Sequence, residues 1–161
     1  MSDNNNTLIE VKIGALIMDP NTNTPIVVLK GVESEAVLPI WVGAFEANAI
    51  ALEIEKIAPQ RPMTHDLMRN LIVECGLNAS RVVITDLLEN TFYALIEMTD
   101  KNGDPVSMDA RPSDAIALAL RLDCPIFVKQ NVLDLSASSN QFDSESDEPA
   151  ATTEDWPDLI G

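Results

Sequence analysis

The tetrapeptide Ala-Ile-Ala-Leu occurs twice in the chain, at 49–52 and again 66 residues later at 115–118. Each copy lies near the start of a predicted helix that follows three predicted strands. At the same spacing Asn48 aligns with Asp114, so the two copies occupy equivalent places. Chance similarity between two alanine-rich helices is the alternative. The shared order of elements predicts two β-β-β-α units that arose by internal duplication.

Runs of β-forming residues between clusters of turn-forming residues predict the strands. In the first half these runs are "IEVKIGALIMD", "PIVVLKG" and "AVLPIWVG", and "DPNTNTP" predicts a hairpin turn between the first two. Residues 44–58 follow as an amphipathic helix that Pro59 stops. In the second half the runs are "SRVVITDLLEN", "TFYALIEMT" and "PVSMDA", and "RPSDAIALALRL" predicts the helix that completes the unit.

A linking helix and one more strand complete the predicted elements. "RPMTHDLMRNLIVECG" predicts the linking helix, with Thr64 as its N-cap and Gly76 at its end. "PIFVKQNVL" predicts the last strand and its exit. Residues 115–120 contain no polar side chain, which is typical of a buried helix. The expected fold is therefore α+β, with a mostly antiparallel sheet and alanine-rich central helices.

Charge divides the chain into a body and a tail. The net charge is −16, and eight of the 26 acidic residues follow Lys129, the last basic residue. Positions 1–130 thus hold 18 acidic and ten basic residues, which argues against nucleic-acid binding through a broad basic face but allows a local cationic pocket. The length favours one domain. We expect a disordered N-terminus at 1–7, a folded domain at 8–134 and an acidic disordered tail at 135–161.

The end of the tail combines apolar and acidic residues in "EDWPDLIG", which contains Trp156, Leu159 and Ile160. Such a segment could dock onto a protein partner or cover a cationic site of the same chain. A tail that only increases solubility is the alternative.

Targeting features are missing from the sequence. The N-terminus "MSDNNNTLIE" is polar, and no apolar run approaches the 18 or so residues of a membrane span. Cys75 and Cys124 stand apart from each other and from the histidine, so neither a zinc site nor a disulfide framework is indicated, and both are expected to be buried thiols. These features predict a cytoplasmic protein with no membrane partner.

The only histidine, His65, limits the catalytic schemes, because any Ser-His or Cys-His arrangement must use it. The chain has no G-x-S-x-G elbow, P-loop or G-x-G-x-x-G loop. Ionisable residues concentrate instead where predicted strands meet helices. They are Asp109, Arg111 and Asp114 in "MDARPSDA", Glu46 in "GAFEAN", and Arg61, His65 and Asp66 in "QRPMTHD".

Two explanations fit the residues around Arg111. Asp109 and Asp114 could share Mg²⁺ or Mn²⁺, which takes oxygen ligands and often only one or two carboxylates, while Arg111 binds a phosphate. Alternatively, Pro112 begins the helix, Arg111 is its cap and Asp114 completes a capping box. Arg111 would then pair with Asp109 or Asp66 and hold two turns together.

Four runs in these regions resemble the bifunctional nuclease (BFN) domain family, long known only as a domain of unknown function. They are "LPIWVGAFEANAIAL", "RPMTHDLMRNLI", "TFYALIEM" and "DARPSDAIALALR…PIFV", and the similarity extends from about Val11 to Leu133. The resemblance implies a compact α+β fold with an internal repeat, frequent self-association, and the nuclease activity on DNA and RNA attributed to some plant members. The family's motif positions here are Glu46, Arg61, His65, Asp66, Asp109, Arg111, Ser113 and Asp114.

From these positions we form a catalytic hypothesis. Asp109 and Asp114, helped by Glu46, hold Mg²⁺ or Mn²⁺ that activates a water, Arg111 stabilises charge on the scissile phosphate, and His65 is general acid or base. DNA or RNA is the substrate, bound with help from Arg61. The rival hypothesis is a homo-oligomeric binding or regulatory module without catalysis, in which "RPSD" forms a structural latch and the tail recruits a protein partner.

Overall fold

The computed structural model describes residues 6–140, which form seven strands and four helices. The strands are β1 (Leu8–Asp19), β2 (Thr24–Gly31), β3 (Val37–Trp41), β4 (Asn78–Leu88), β5 (Thr91–Thr99), β6 (Pro105–Ala110) and β7 (Ile126–Lys129). The helices are α1 (Ala44–Ile54), α2 (Thr64–Glu74), α3 (Pro112–Leu122) and α4 (Gln130–Asn140).

All seven strands belong to one sheet in the order β3-β2-β1-β7-β4-β5-β6. Strand β7 lies at its centre, antiparallel to β1 and parallel to β4, and every other neighbouring pair is antiparallel. The first three strands and the next three therefore form two antiparallel groups that β7 joins. The sheet is mixed, with a single parallel pairing among the described residues.

Small side chains allow the helices to approach one another closely. Ala47, Ala49, Ala115 and Ala117 are buried where α1 and α3 pack on each other. Helix α3 also packs on β4 and β5, and α1 packs on β2. Helix α3 has seven buried residues, more than α1 or α2, and is therefore the most central of the three, as its apolar sequence predicts.

The α+β class is confirmed, and three strands followed by a helix occur in each half of the chain. That the halves arose by duplication stays a prediction. Helix α1 is shorter than expected because Lys56 has a left-handed backbone (φ 56°), so the helix ends at Ile54 before Pro59 is reached. Gly76 follows α2 with φ +76°, as predicted for a C-terminal stop.

Helix α4 differs from the sequence-based expectation. The segment after β7 was predicted to leave the fold, with a tail from residue 135 onward, yet residues 130–140 are helical. Val132 and Ser136 are both buried, one helical turn apart. Because Ser136 is polar, the sequence lacks the apolar residue at this position that would have predicted a helix. The rest of the predicted tail, with Trp156, Leu159 and Ile160, lies outside the described residues.

Two further expectations concern thiols and membranes. Cys75 is an exposed thiol rather than a buried one, and Cys124 is half-buried. Burial raises the pKa of the Cys124 thiol, which keeps it protonated and unreactive. Within residues 6–140, every helix is too short or too polar to cross a membrane.

Candidate functional site

The first turns of three helices meet around one cleft. Helix α1 begins after Gly43 and α2 after Met63, both in extended backbone, while α3 begins with Pro112, which suits the first helical position. The cleft has a volume of about 540 Å³. Its lining residues are Phe45, Glu46, Asn48, Ala49, Leu52, Met63, Thr64, His65, Met68, Arg111, Asp114 and Arg121.

Arg111 joins the starts of α1 and α3. Its Nη2 donates to Oε1 of Glu46 at 2.8 Å, and its Nε donates to Oδ2 of Asp114 at 3.0 Å. The hydrogen bond to Glu46 and then that to Asp114 raise the pKa of the Arg111 guanidinium. The Arg111 side chain is still 65% exposed, so the paired guanidinium remains accessible from the cleft.

His65 connects α2 to the same group. Its Nε2 lies 2.9 Å from Oδ1 of Asp114, and the His65 side chain is 12% exposed. An ionised carboxylate only accepts hydrogen bonds, so Nε2 carries the proton in this pair. In the neutral ring Nδ1 is then an acceptor, and none of the described residues donates to it. Asp114 thus fixes the tautomer in which His65 can take up a proton.

Asp66 and Arg121 form a second, more buried ion pair beside the cleft. Nε of Arg121 donates to Oδ1 of Asp66 at 2.8 Å, and its other nitrogens donate to the carbonyl oxygens of Ala117 and Ala49, each at 2.9 Å. Partial burial tends to raise the pKa of Asp66, but hydrogen bonds from Arg121 and from the backbone N–H of Met63 outweigh it and the net shift is downward. This pair ties α1, α2 and α3 together.

Not every predicted site residue reaches the cleft. Asp109 pairs with Leu95 across β5 and β6, while the next residue, Ala110, pairs with the buried Ala94. Successive side chains of a strand point to opposite faces, so Asp109 points away from the face that Ala94 occupies, and it is exposed. Arg61 is exposed in the loop before α2 and is absent from the cleft lining. Ser113 is buried in the first turn of α3.

Two predicted helix caps also differ. Asp114 accepts from the Arg111 side chain and from His65, and the N-cap of α3 has no side-chain cap hydrogen bond, so the predicted capping box is not formed. Met63 rather than Thr64 is the N-cap of α2, and Oδ2 of Asp66 accepts its backbone N–H at 3.0 Å. Asp114 is therefore free of a backbone role and available to the cleft.

The predicted metal ligands are only partly brought together. Within residues 6–140, no group of three or more His, Cys, Asp or Glu side chains is placed to hold a metal ion. Glu46 and Asp114 do approach a common point, because Oε1 of Glu46 and Oδ2 of Asp114 lie 2.8 and 3.0 Å from Nη2 of Arg111. These two carboxylates are oxygen donors of the kind that Mg²⁺ and Mn²⁺ prefer, and a metal would compete with Arg111 for them.

Two residues that line the cleft, Phe45 and Arg121, were not proposed as site residues from the sequence. Phe45 could have been noticed, because it lies 66 residues before Arg111 and so at the equivalent position of the first β-β-β-α unit. Arg121 could also have been noticed, because it lies seven residues after Asp114 and therefore on the same helix face.

Known proteins resemble the part of the chain that contains α1, α2 and α3. A family model described as "Bifunctional nuclease domain" matches residues 27–141, from β2 to just past α4. An uncharacterized protein of Mycobacterium tuberculosis strain H37Rv is 41% identical over 143 residues, which is 89% of this chain and 84% of that protein.

Plant proteins are more distant relatives. Bifunctional nuclease 2 of Oryza sativa subsp. japonica is 30% identical over 102 residues, covering 62% of this chain and 31% of that protein. Bifunctional nuclease 1 of the same plant is 26% identical over 101 residues, covering 62% of this chain and 30% of that protein. The chain thus corresponds to less than a third of each plant protein.

Proposed function

The chain belongs to the bifunctional nuclease domain family, and we propose that it hydrolyses phosphodiester bonds of DNA, RNA or both. The single observation that carries this proposal is the linked group of Glu46, Arg111, Asp114 and His65 at the mouth of one cleft. A guanidinium beside an oriented imidazole offers both a phosphate-binding group and a proton acceptor.

Arg111 is the proposed phosphate-binding residue. Its guanidinium has five N–H donors, and the bonds to Glu46 and Asp114 use two of them. The exposed remainder can donate to the oxygens of a scissile phosphate, where negative charge grows as the bond to the leaving group breaks. The starts of α1, α2 and α3 add the positive ends of three helix dipoles at the same cleft.

His65 is the proposed proton acceptor. Water attacks the phosphorus, and Nδ1 of His65 takes the proton that the water loses. Asp114 keeps the second ring proton on Nε2 and stabilises the imidazolium that results. The protonated ring can afterwards give its proton to the leaving oxygen.

A divalent cation is a further part of the proposal. Glu46 and Asp114 would hold Mg²⁺ or Mn²⁺ together with water and phosphate, and the ion when bound would supply positive charge next to the scissile phosphate. Asp109 was predicted as a third ligand, and its outward position on β6 gives that role no support.

The net charge limits the expected activity. Positions 1–130 carry 18 acidic and ten basic residues, so the body as a whole repels polyanions. Binding then relies on Arg111 and on whatever cation accompanies the substrate. We expect slow cleavage that depends only weakly on salt, because few phosphates can be contacted at once and salt also screens the repulsion.

A homo-oligomeric module without catalysis is the second candidate. In it Arg111 is a latch between α1 and α3, an interpretation supported by its pairing with Glu46 and Asp114. Self-association is supported by an exposed apolar row along α2, formed by Met63, Leu67 and Leu71 at 38, 62 and 61% exposure. The latch hypothesis requires Arg111 to matter for stability, and the nuclease hypothesis requires it to matter for cleavage.

The deciding experiment measures cleavage by the full chain. Single- and double-stranded DNA and RNA are incubated with the protein in Mg²⁺, Mn²⁺ or EDTA, alongside His65→Gln, Arg111→Ala and the matched control Asp109→Asn. We expect cleavage by the wild type and the control, with strong loss in the other two variants. Equal cleavage by all four proteins would indicate a contaminant and would refute the nuclease proposal.

A further inference from the structure

Phe45 is an aromatic side chain that the fold does not use for its own stability. It lies in the first turn of α1 and is 79% exposed, the largest value among the bulky apolar residues that the described chain exposes. Its neighbours in sequence show no such exposure, since Glu46 is 18% exposed and Ala47 is fully buried. A single exposed apolar residue is common on protein surfaces, so what points to a ligand is that this exposed ring also lines the cleft.

Phe45 lines the same cleft as Arg111, and the residue that follows it, Glu46, accepts a hydrogen bond from Arg111. The lining combines two chemical parts, one ionic with Glu46, Arg111, Asp114 and His65, and one apolar. The apolar part consists of Phe45, Ala49, Leu52, Met63 and Met68. A nucleotide has the same two parts, a phosphate and a flat base with an apolar face.

The size of the cleft restricts the form of nucleic acid that can enter. A volume of about 540 Å³ suits one nucleotide-sized group and is far too small for a duplex. A base inside a duplex is stacked on both faces, so an aromatic side chain can reach its face only after it has been unstacked. Single strands and loops offer such bases without that cost.

We infer that Phe45 is the base-stacking residue of the cleft and gives the protein its preference for single-stranded nucleic acid. The inference rests on the proposed function for the identity of the ligand. The base adjoining the bound phosphate stacks on the Phe45 ring, while Met63 and Met68 contact its edges. Stacking tolerates any base, so we expect a preference for strand form rather than for sequence.

Fluorescence anisotropy of the full-length protein tests the inference without requiring turnover. The probes are three fluorescein-labelled molecules: a single strand of ten deoxyadenosines, an abasic strand of the same length, and a blunt hairpin duplex. Every protein carries His65→Gln, so that slow cleavage does not interfere. The variants are Phe45→Ala, Phe45→Trp and the control Tyr93→Ala, which removes an aromatic side chain that is 41% exposed outside the cleft.

We expect Phe45→Ala to weaken binding of the deoxyadenosine strand by about 5- to 100-fold, as loss of one stacked base predicts. Phe45→Trp should restore binding to within about threefold, and Tyr93→Ala should leave it unchanged. The abasic strand should bind equally to all variants, and the duplex should bind weakly throughout.

Three results would overturn the inference. The first is an unchanged affinity of Phe45→Ala for the deoxyadenosine strand, and the second is an equal loss of affinity for the abasic strand. The third is a lower molar mass of Phe45→Ala in light scattering, which would place Phe45 in a contact between copies of the chain. The proposed function fails separately, through absence of cleavage in the wild type. Base-dependent binding through Phe45 without cleavage would support the inference and refute the nuclease.

Discussion

Nε2 of His65 and Oδ1 of Asp114 lie 2.9 Å apart, although 49 residues separate them in the chain. Asp114 is in the first turn of α3 and His65 in the first turn of α2, so this hydrogen bond forms only when two helices dock. It orients the single histidine of the protein and leaves its Nδ1 available.

Replacement of Asp114 by asparagine should reduce cleavage by about 100-fold or more. An amide neither fixes the Nε2-protonated ring nor stabilises an imidazolium, and general base catalysis contributes about 10²–10⁴ in rate. The measurement is the initial rate on a labelled single-stranded oligonucleotide, with folding checked by circular dichroism. Asp109→Asn is the isosteric control and should retain the wild-type rate. Equal losses in both variants would contradict the assignment.

The pair between Arg111 and Glu46 separates the nuclease from the latch. Because the Arg111 side chain is 65% exposed, we expect Arg111→Ala to lower the free energy of unfolding by no more than about 1 kcal/mol. Cleavage should fall by at least two orders of magnitude, as for loss of a group that stabilises transition-state charge. Urea denaturation and initial rates measure the two effects.

A double-mutant cycle of Arg111→Ala with Glu46→Gln completes this test. Coupling of less than about 1 kcal/mol in stability agrees with a solvent-exposed pair. A larger coupling, combined with little change in cleavage, would favour the latch and count against the nuclease.

Arg121 should matter for stability far more than Arg69. The Arg121 side chain is 5% exposed and donates to Asp66 and to two helix carbonyls, so Arg121→Ala removes three hydrogen bonds and leaves the half-buried Asp66 carboxylate without its cation. We expect a loss of about 2–4 kcal/mol in the free energy of unfolding. Arg69 is exposed, and within residues 6–140 its side chain bonds only to the neighbouring Asn70, so Arg69→Ala should cost about 0.5 kcal/mol or less. A reversed order in urea denaturation would refute this view of the helix interface.

The contribution of Asp66 to stability should depend on pH in a defined direction. Its pKa is lower in the folded state than in the unfolded chain, so its contribution is complete above the ordinary aspartate pKa near 3.8 and is lost as the pH falls through the folded value. The difference in unfolding free energy between wild type and Asp66→Asn should therefore be constant near neutrality and shrink below about pH 4. Urea denaturation from pH 3 to pH 7 measures it, and a difference that grows on acidification would contradict the prediction.

Binding of Mn²⁺ should require Glu46 and Asp114 but not Asp109. Calorimetric titration of the full chain with MnCl₂ measures this directly, without any substrate. We expect weaker binding in Glu46→Gln and Asp114→Asn, and unchanged binding in Asp109→Asn. Stronger binding in Arg111→Ala would follow from removal of the competing guanidinium. Loss of binding in Asp109→Asn as well would support the ligand set predicted from the sequence, with Asp109, Asp114 and Glu46.

Most local structure follows from local patterns. Hairpin turns, the end of α2 at Gly76 and the start of α3 at Pro112 all depend on residues with restricted or unusual backbone preferences, which the sequence displays openly. Helix α4 was missed because its buried face contains Ser136 and its other faces are polar. This helix packs against β4 and β7, and its formation depends on those contacts. The residues next to it in the sequence do not reveal them.

The site was partly predictable for the same reason. Glu46, His65, Arg111 and Asp114 were expected together because each follows a strand or begins a helix, and helix starts gather functional groups. Asp109 was included because it is close in sequence to Asp114. The two-residue period of β6 shows instead that it points to the opposite face from Ala110, whose partner Ala94 is buried. The alternation of side chains along the strand therefore predicts the position of Asp109 better than its closeness in sequence to Asp114 does.

Strand β7 has a consequence for the order in which the protein can be assembled during translation. Among the described residues it is the last strand to be synthesised, yet it hydrogen-bonds to β1 on one side and to β4 on the other. Until Lys129 has left the ribosome, the two three-stranded groups share no backbone pairing, and packing between helices is what connects them. The sheet therefore becomes continuous only when its central strand is added, so it is completed from the middle rather than from an edge.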